Sequence, residues 1–494
     1  VLYDAAIIGA GAEGLVAATL LSQSGLRVLV IERSGRAGGR SVTREFHPGY
    51  RAPPFADQLA QISVSLFWAL DLARHGAVFA PERASLALWP DRRHTLAQAG
   101  RDGAEPARLL AEAARQRALI AQSVMRDAGA QPAESLFRRK PPLLEHWSAM
   151  PWAAQSLDDV AAAYCADADT LAHVAAQALC GRAADPFLPG SALYLLGAGS
   201  ALGRLPGGLS RFGEVLAAAA QTAGAEFMLG VEASDILRRD GRVTGVGLAD
   251  GNEVSTPNVI SSLDLKRTFL TFFPWNSLPK GVIRRVHAFR MAGSTARVLF
   301  ALSNRPDLPD DDGRTGPIHV APSLGRLSEA YHAWRTGVLS DSVPVTLRLL
   351  SDSDPSLAPA GAAVVTATLG AVPFRLFDGP WTHEKRERLR ALALAAAETA
   401  APGFAAKVLA AEVVVPPDIE DALGVTEGDL GGGEIAADQM LGVSPWGRPA
   451  MPRCPVPGLY LAGSSLSAGA FATGLAGAAA AHAVIADKVR AKSK

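Results

Sequence analysis

The chain has 494 residues, 49% of them hydrophobic and 19% charged, with 48 basic and 48 acidic side chains. This length exceeds one ordinary core and implies two domains, and the composition excludes a disordered chain. A formal net charge of zero argues against nucleic acid as a partner, since such surfaces carry a basic excess. Cys165, Cys180 and Cys454 are too widely spaced for a disulfide framework or zinc site, which fits a reducing compartment.

No basic segment precedes an apolar run at the start, so no signal peptide is expected and the protein is assigned to the cytoplasm. Residues 3–9 (YDAAIIG) read as a buried parallel strand. Residues 14–24 place Leu15, Ala18 and Leu21 at helical spacing, and Gly25 ends that helix. Residues 27–32 (RVLVIE) form the second strand of a strand–helix–strand unit.

Gly9-x-Gly11-x-x-Gly14 lies between the first strand and the helix. Gly9 permits the tight turn, Gly11 lets backbone approach a pyrophosphate, and Gly14 lets the helix pack on the sheet. The helix start then faces the phosphates with unpaired N–H groups and the positive end of its dipole. Glu32 ends the second strand, where a carboxylate can accept both ribose hydroxyls and would repel a 2′-phosphate, disfavouring NADP. Gly38-Gly39-Arg40 adds a second turn with a guanidinium suited to forked phosphate contacts. A plain nicotinamide site has no need of that second turn, and the combination favours FAD.

From Arg101 to Ala184 the sequence turns Ala/Leu/Arg-rich and helical. Residues 202–224 read as a loop feeding a helix. Residues 225–262 alternate and turn at Asp240-Gly241 and Asp250-Gly251, the signature of hairpins. Residues 266–425 mix helices and strands, and 458–490 return to strand–turn–helix. Gly458 to Ala486 contains no Asp, Glu, Lys or Arg and is long enough to cross a bilayer. Its Gly, Ala and Ser content instead indicates a strand, a turn and a close-packed helix. Glycine-rich text at both ends predicts a cofactor-binding domain built from residues 1–95, 204–265 and 426–494, with 96–203 and 266–425 inserted as a substrate domain.

These motifs resemble the phytoene desaturase-like flavoproteins, and within them the bacterial relatives of pyridine nucleotide-disulfide oxidoreductase domain-containing protein 2. The resemblance covers most of the chain. Beyond the opening stretch it rests on "LPGGLSRFGEVL" (205–216), "AAPGF" (400–404), "EGDLGGGEIAADQML" (427–441) and "GLYLAGSSLSAGAFATGLAGAAAAHAV" (458–484). It implies an α/β fold: a glutathione-reductase-type, Rossmann-like FAD domain with an inserted α+β substrate domain. It further implies that FAD is held by Gly9, Gly11, Ala12, Glu13 and Gly14, by Glu32 and Arg33, and by Gly39 and Arg40. Val231 would face the adenine with its backbone, Gly463 and Ser464 the ribityl phosphate. The helix after Gly469 and Gly474, opening at Leu475, would aim its N-terminus at the flavin and stabilise its anionic reduced form.

Three positions depart from the family pattern. Pro53 stands near an expected acidic residue, Gly-Gly-Gly replaces a histidine in the 428–434 loop, and Ser464 and Ser465 replace an acid.

With no redox cysteine pair, the flavin itself would accept two electrons. The expected reaction is dehydrogenation or desaturation of a lipophilic, isoprenoid-like substrate, with oxygen or a quinone as electron acceptor. "VSLFWALDL", "LEHWSAMPW" and "FLTFFPW" are candidate linings for an apolar tunnel, or ordinary core. A flavin amine oxidase, a redox-neutral flavin isomerase and a non-catalytic flavin-bound interaction protein are the alternatives. No catalytic base stands out. His47, His75, His146, His173, His287, His319, His332, His383 and His482 are scattered singly, and no metal spacing appears. Residues 383–400 read as an amphipathic helix, either of the second domain or lying peripherally on a membrane.

Overall fold

The computed structural model describes residues 2–56, 58, 60, 62–80, 84–91, 94–97, 105–129, 151–165, 167–200, 205, 207–308, 315–436, 438–439, 452–466 and 473–493. β1 (Ala5–Ile8), α1 (Ala12–Gln23) and β2 (Val28–Glu32) form the opening unit. Both strands are apolar and almost wholly buried, as strands covered on both faces must be.

A five-stranded parallel sheet follows the order Leu459–Leu461, Val259–Ser261, β1, β2, Glu226–Leu229. Strands from three distant stretches of chain thus lie side by side. Glycine-rich residues 458–486 begin with the strand Leu459–Leu461 and end in the helix Leu475–Lys492, which packs on α1. A Cβ on Gly477 would lie 2.0 Å from the Glu13 carbonyl oxygen, so the two helices meet backbone to backbone. Small residues serve this close packing. Among the described residues no helix is long and apolar enough to cross a membrane.

Residues 233–255 form the expected antiparallel meander. Asp240 and Gly241 both have positive φ, 52° and 75°, as a two-residue hairpin turn requires.

A second sheet of seven strands runs Val408–Val414, Ala296–Leu302, Ala363–Leu369, Val345–Leu349, Thr315–Val320, Ala84–Leu88, His94–Ala97. All its pairs are antiparallel except Ala84–Leu88 with Thr315–Val320. Ala84–Leu88 and His94–Ala97 therefore belong with this sheet, although the sequence division assigned residues up to 95 to the cofactor-binding part. A short apolar run is equally at home in either sheet, and only its partner decides. The helix His383–Ala400 lays Leu389, Ala393, Ala397 and Ala400 into the core under this sheet. Its apolar stripe is covered by the protein itself, as in the reading of this segment as an amphipathic helix of the second domain.

Candidate functional site

A cleft opens at the C-terminal ends of β1 and β2, the place where open α/β sheets bind ligands. Gly11 is the N-cap of α1 and offers no side chain to its first turn. A Cβ built on Gly11 would meet no atom within 4 Å, so the space above it belongs to the cleft. The uncapped N–H groups of α1 are a ready phosphate site. Gly14 is different: its Cβ would sit 2.1 Å from the Gly9 carbonyl oxygen. It lets the helix approach the strand and does not line the cleft. The second turn stacks on the first, with a Cβ on Gly39 only 3.1 Å from Gly11 Cα. Gly213, on the helix Gly208–Thr222, would place a Cβ 2.7 Å from Gly38 Cα. The "LPGGLSRFGEVL" segment thus supports the second turn from behind.

Glu32 lines the cleft and organises its walls. Its Oε2 accepts the Ala10 N–H at 2.7 Å and its Oε1 the Ser34 N–H at 2.8 Å. The Val231 N–H donates to the Glu32 carbonyl at 3.0 Å, which ties Val231 to the end of β2, although Val231 is not among the residues that line the cleft and packs against the core. Arg33 and Arg40 line the cleft, but each guanidinium already holds the segment across it. Arg33 donates to the carbonyls of Asp421 and Ala422 at 3.1 and 2.7 Å, and Arg40 to that of Leu430 at 2.8 Å. Ala12, Glu13 and Ser464 also face the cleft, whereas Gly463 packs against the Leu263 carbonyl.

Glu13 changes the expected role of the closing helix. Its carboxylate accepts the N–H groups of Gly474 and Gly477, each at 2.8 Å. The helix opening at Leu475 is therefore capped by the chain's own acid, and its positive end is not left free for a reduced flavin. Burial raises the Glu13 pKa, opposed by these N–H groups and by Arg40. Gly469 lies outside the described residues.

A second cavity of about 460 Å³ adjoins the cleft, and Asp429 and Leu430 line both. Asp429 was not singled out in the sequence. Its Oδ1 accepts the Gly431 N–H at 2.8 Å, and its Oδ2 those of Gly433 and Ala292 at 3.0 and 3.3 Å. Burial pushes its pKa up to about 6, against the pull of those N–H groups and of Arg182. Burial also lowers Arg182 and raises Tyr194, which stand on the same cavity wall.

The Gly-Gly-Gly departure has a packing reason. A Cβ on Gly432 would fall 2.2 Å from Ser464 Oγ, and one on Gly433 would fall 2.8 Å from the Phe289 ring. Only glycine lets the loop thread between them and wrap the Asp429 carboxylate. An acid two residues before a run of glycines, able to bind backbone two residues on, was the available signal.

The aromatic stretches, read as tunnel lining or ordinary core, are core or surface where they are described. Leu66, Trp152, Phe269, Phe272 and Phe273 are buried in hydrophobic clusters, while Trp68 and Trp275 face solvent. The cavity takes its apolar wall from Phe289, Met291, Trp334, Phe374 and Ile435 instead. The histidines are not all isolated either. His173 and His319 meet with ring centroids 5.5 Å apart, bonded to Ser85 and Thr346 respectively. Burial drives His173 down to about 3 and His319 well below its ordinary value, so this pair is neutral core. His146 lies outside the described residues.

An uncapped helix start, open space over Gly11, an acid at the end of β2 and a second glycine turn stacked on the first fit an adenine dinucleotide, and together define an FAD-type oxidoreductase fold. The family model described as "NAD(P)-binding Rossmann-like domain" matches residues 7–69. Pyridine nucleotide-disulfide oxidoreductase domain-containing protein 2 of Rattus norvegicus is 27% identical, with 98% of this chain and 94% of that protein covered. The lycopene-forming phytoene desaturase of Pseudescherichia vulneris is 26% identical over 53% of this chain and 51% of its own. Among solved structures, putrescine oxidase bound to putrescine shares the fold, with a TM-score of 0.59, 17% identity and 99% of each chain covered. The chain is thus similar to pyridine nucleotide-disulfide oxidoreductase domain-containing protein 2 over nearly its whole length and to a phytoene desaturase over half of it, and the residues of its cleft fit FAD.

Proposed function

We propose that this protein dehydrogenates or desaturates a lipophilic organic substrate held in the cavity beside the cofactor cleft. The observation that carries this reading is the shared wall: Asp429 and Leu430 belong to both spaces. A substrate there would lie against the same Asp429–Leu430 wall as the cofactor. FAD supplies two-electron chemistry by accepting a hydride equivalent from a C–H bond. The protein's part is to bind, orient and exclude water. Phe289, Met291, Trp334 and Phe374 give the substrate body an apolar wall. The Trp334 indole is fixed by its N–H bond to the Gly293 carbonyl at 3.0 Å. Asp429 lines both spaces, and its pKa, pushed up to about 6 by burial, would let it exchange a proton near that pH. Oxygen or a quinone takes the electrons onward.

Anaerobic photoreduction of the FAD-loaded protein, followed by mixing with oxygen or a soluble quinone, tests turnover. Rapid return of the oxidised flavin spectrum with at least one acceptor is expected. A reduced flavin that neither acceptor reoxidises would leave a bound cofactor without catalysis and contradict the proposal.

A further inference from the structure

The lining of the substrate cavity is basic. Arg182, Lys266, Arg290, Arg335 and Arg375 face it, against Glu427, Asp429 and Glu434. Two of these cations are matched. Arg290 is held by Glu434 and grips both carboxylate oxygens of Asp438, at 2.9 and 2.6 Å. Arg182 faces Asp429. The others, among them the outer pair Arg335 and Arg375, both exposed, are not matched in this way. Arg375 has Glu427 at 3.8 Å with its own side chain 81% exposed. Among the described residues, no acidic partner faces Arg335 or Lys266.

Both outer guanidinium groups lie over aromatic rings, Arg335 over Tyr331 and Arg375 over Phe374, each 5.9 Å from the ring centroid. Their backbones are also tied together. The Phe377 N–H donates to the Gly337 carbonyl at 2.9 Å, joining the end of the helix Leu324–Arg335 to the segment that carries Arg375. Stacking on a ring and a fixed backbone reduce the freedom lost when a guanidinium forks onto an anion. A basic surplus in a concave, partly apolar site also concentrates anions and repels ammonium groups.

We propose that the cavity recognises an organic carboxylate, with Arg335 and Arg375 holding its head group and the apolar wall its hydrocarbon body. This rests on the cavity being the substrate site. It names the substrate class as lipophilic acids and sets amines apart.

The test uses the FAD-loaded protein and four ligands sharing one chain: octanoate, octanol, octylammonium and octyl phosphate. Calorimetry reads binding, and the visible difference spectrum of the flavin reads proximity to the cofactor. Octanoate should bind at least about tenfold more tightly than octanol, which one charge-assisted hydrogen bond supplies, and should perturb the flavin spectrum. The Arg335→Gln, Arg375→Gln double variant, checked for FAD content, should bind octanoate and octanol alike. Equal binding of alcohol and acid, tighter binding of octylammonium or octyl phosphate, or an acid preference that survives the double variant would overturn the inference. An acid preference without any flavin perturbation would overturn the reading of the cavity as the substrate site instead.

Discussion

Glu13 and Gly477 interlock across the contact between α1 and the C-terminal helix. The Glu13 Oε2 accepts the Gly477 N–H at 2.8 Å, and a Cβ on Gly477 would collide with the Glu13 carbonyl oxygen at 2.0 Å. One residue of the dinucleotide turn thus caps the helix contributed by the far end of the chain.

Glu13→Ala leaves two N–H groups at the start of that helix without an acceptor. Each orphaned donor costs about 1–3 kcal/mol. Chemical denaturation should show a loss in that range or above. Glu13→Gln, which keeps one acceptor oxygen, should lose less. Unchanged stability of Glu13→Ala would show that the helix does not depend on this cap.

Glu32→Ala should weaken FAD binding and also reduce stability. Its two oxygens hold the Ala10 and Ser34 N–H groups, and hydrogen bonds to a charged group are worth about 1.5–3 kcal/mol each. Flavin titration of the folded variant reads the first effect and denaturation the second. A folded variant with undiminished FAD affinity would remove the ribose role.

Asp429 gives the pH dependence. Burial pushes its pKa up to about 6 from an ordinary value of 3.8. The folded protein then holds the proton more tightly than the unfolded chain. Its contribution to stability is greatest at low pH, falls as pH rises between those two values, and is level above them. Asp429→Asn does not titrate and gives up one acceptor at every pH. Its Tm should lie furthest below the wild type at pH values under the ordinary 3.8 and approach it as the pH rises to 7. A gap that is constant across this range would contradict the shift.

The opening strand–helix–strand unit was legible because each function there has a local sequence sign: glycines at fixed offsets, an acid at a strand end, apolar runs of the right length. The closing strand and helix were legible for the same reason. Glu13 as a cap and Asp429 as a shared wall were not, because their partners lie 464 and 137 residues away. The destination of Ala84–Leu88 depended on a strand beginning at Thr315. Aromatic richness left two readings open for a physical reason: composition alone does not separate a core from a tunnel wall, and Phe269, Phe272 and Phe273 satisfy the hydrophobic core.

NADH and NADPH should reduce the flavin slowly or not at all. Two mid-chain glycine clusters, residues 196–208 and 427–434, are the places where a second dinucleotide unit could have formed. Gly197 of the first closes the 3-10 helix Ser191–Gly197, and in the second Gly431–Gly433 wrap Asp429 and pack on Ser464 and Phe289. Anaerobic stopped-flow mixing decides this: rapid, saturable bleaching by NADH would revive a nicotinamide-driven reductase.

The most direct measurement is chromatography of the flavin released when the purified or FAD-reconstituted protein is denatured. Gly9, Gly11 and Glu32 shape a cleft for the adenosine half of a dinucleotide, which FMN lacks. The released flavin should be FAD. FMN in its place, or protein that retains no flavin after incubation with FAD, would contradict the assignment of this chain as an FAD-dependent oxidoreductase.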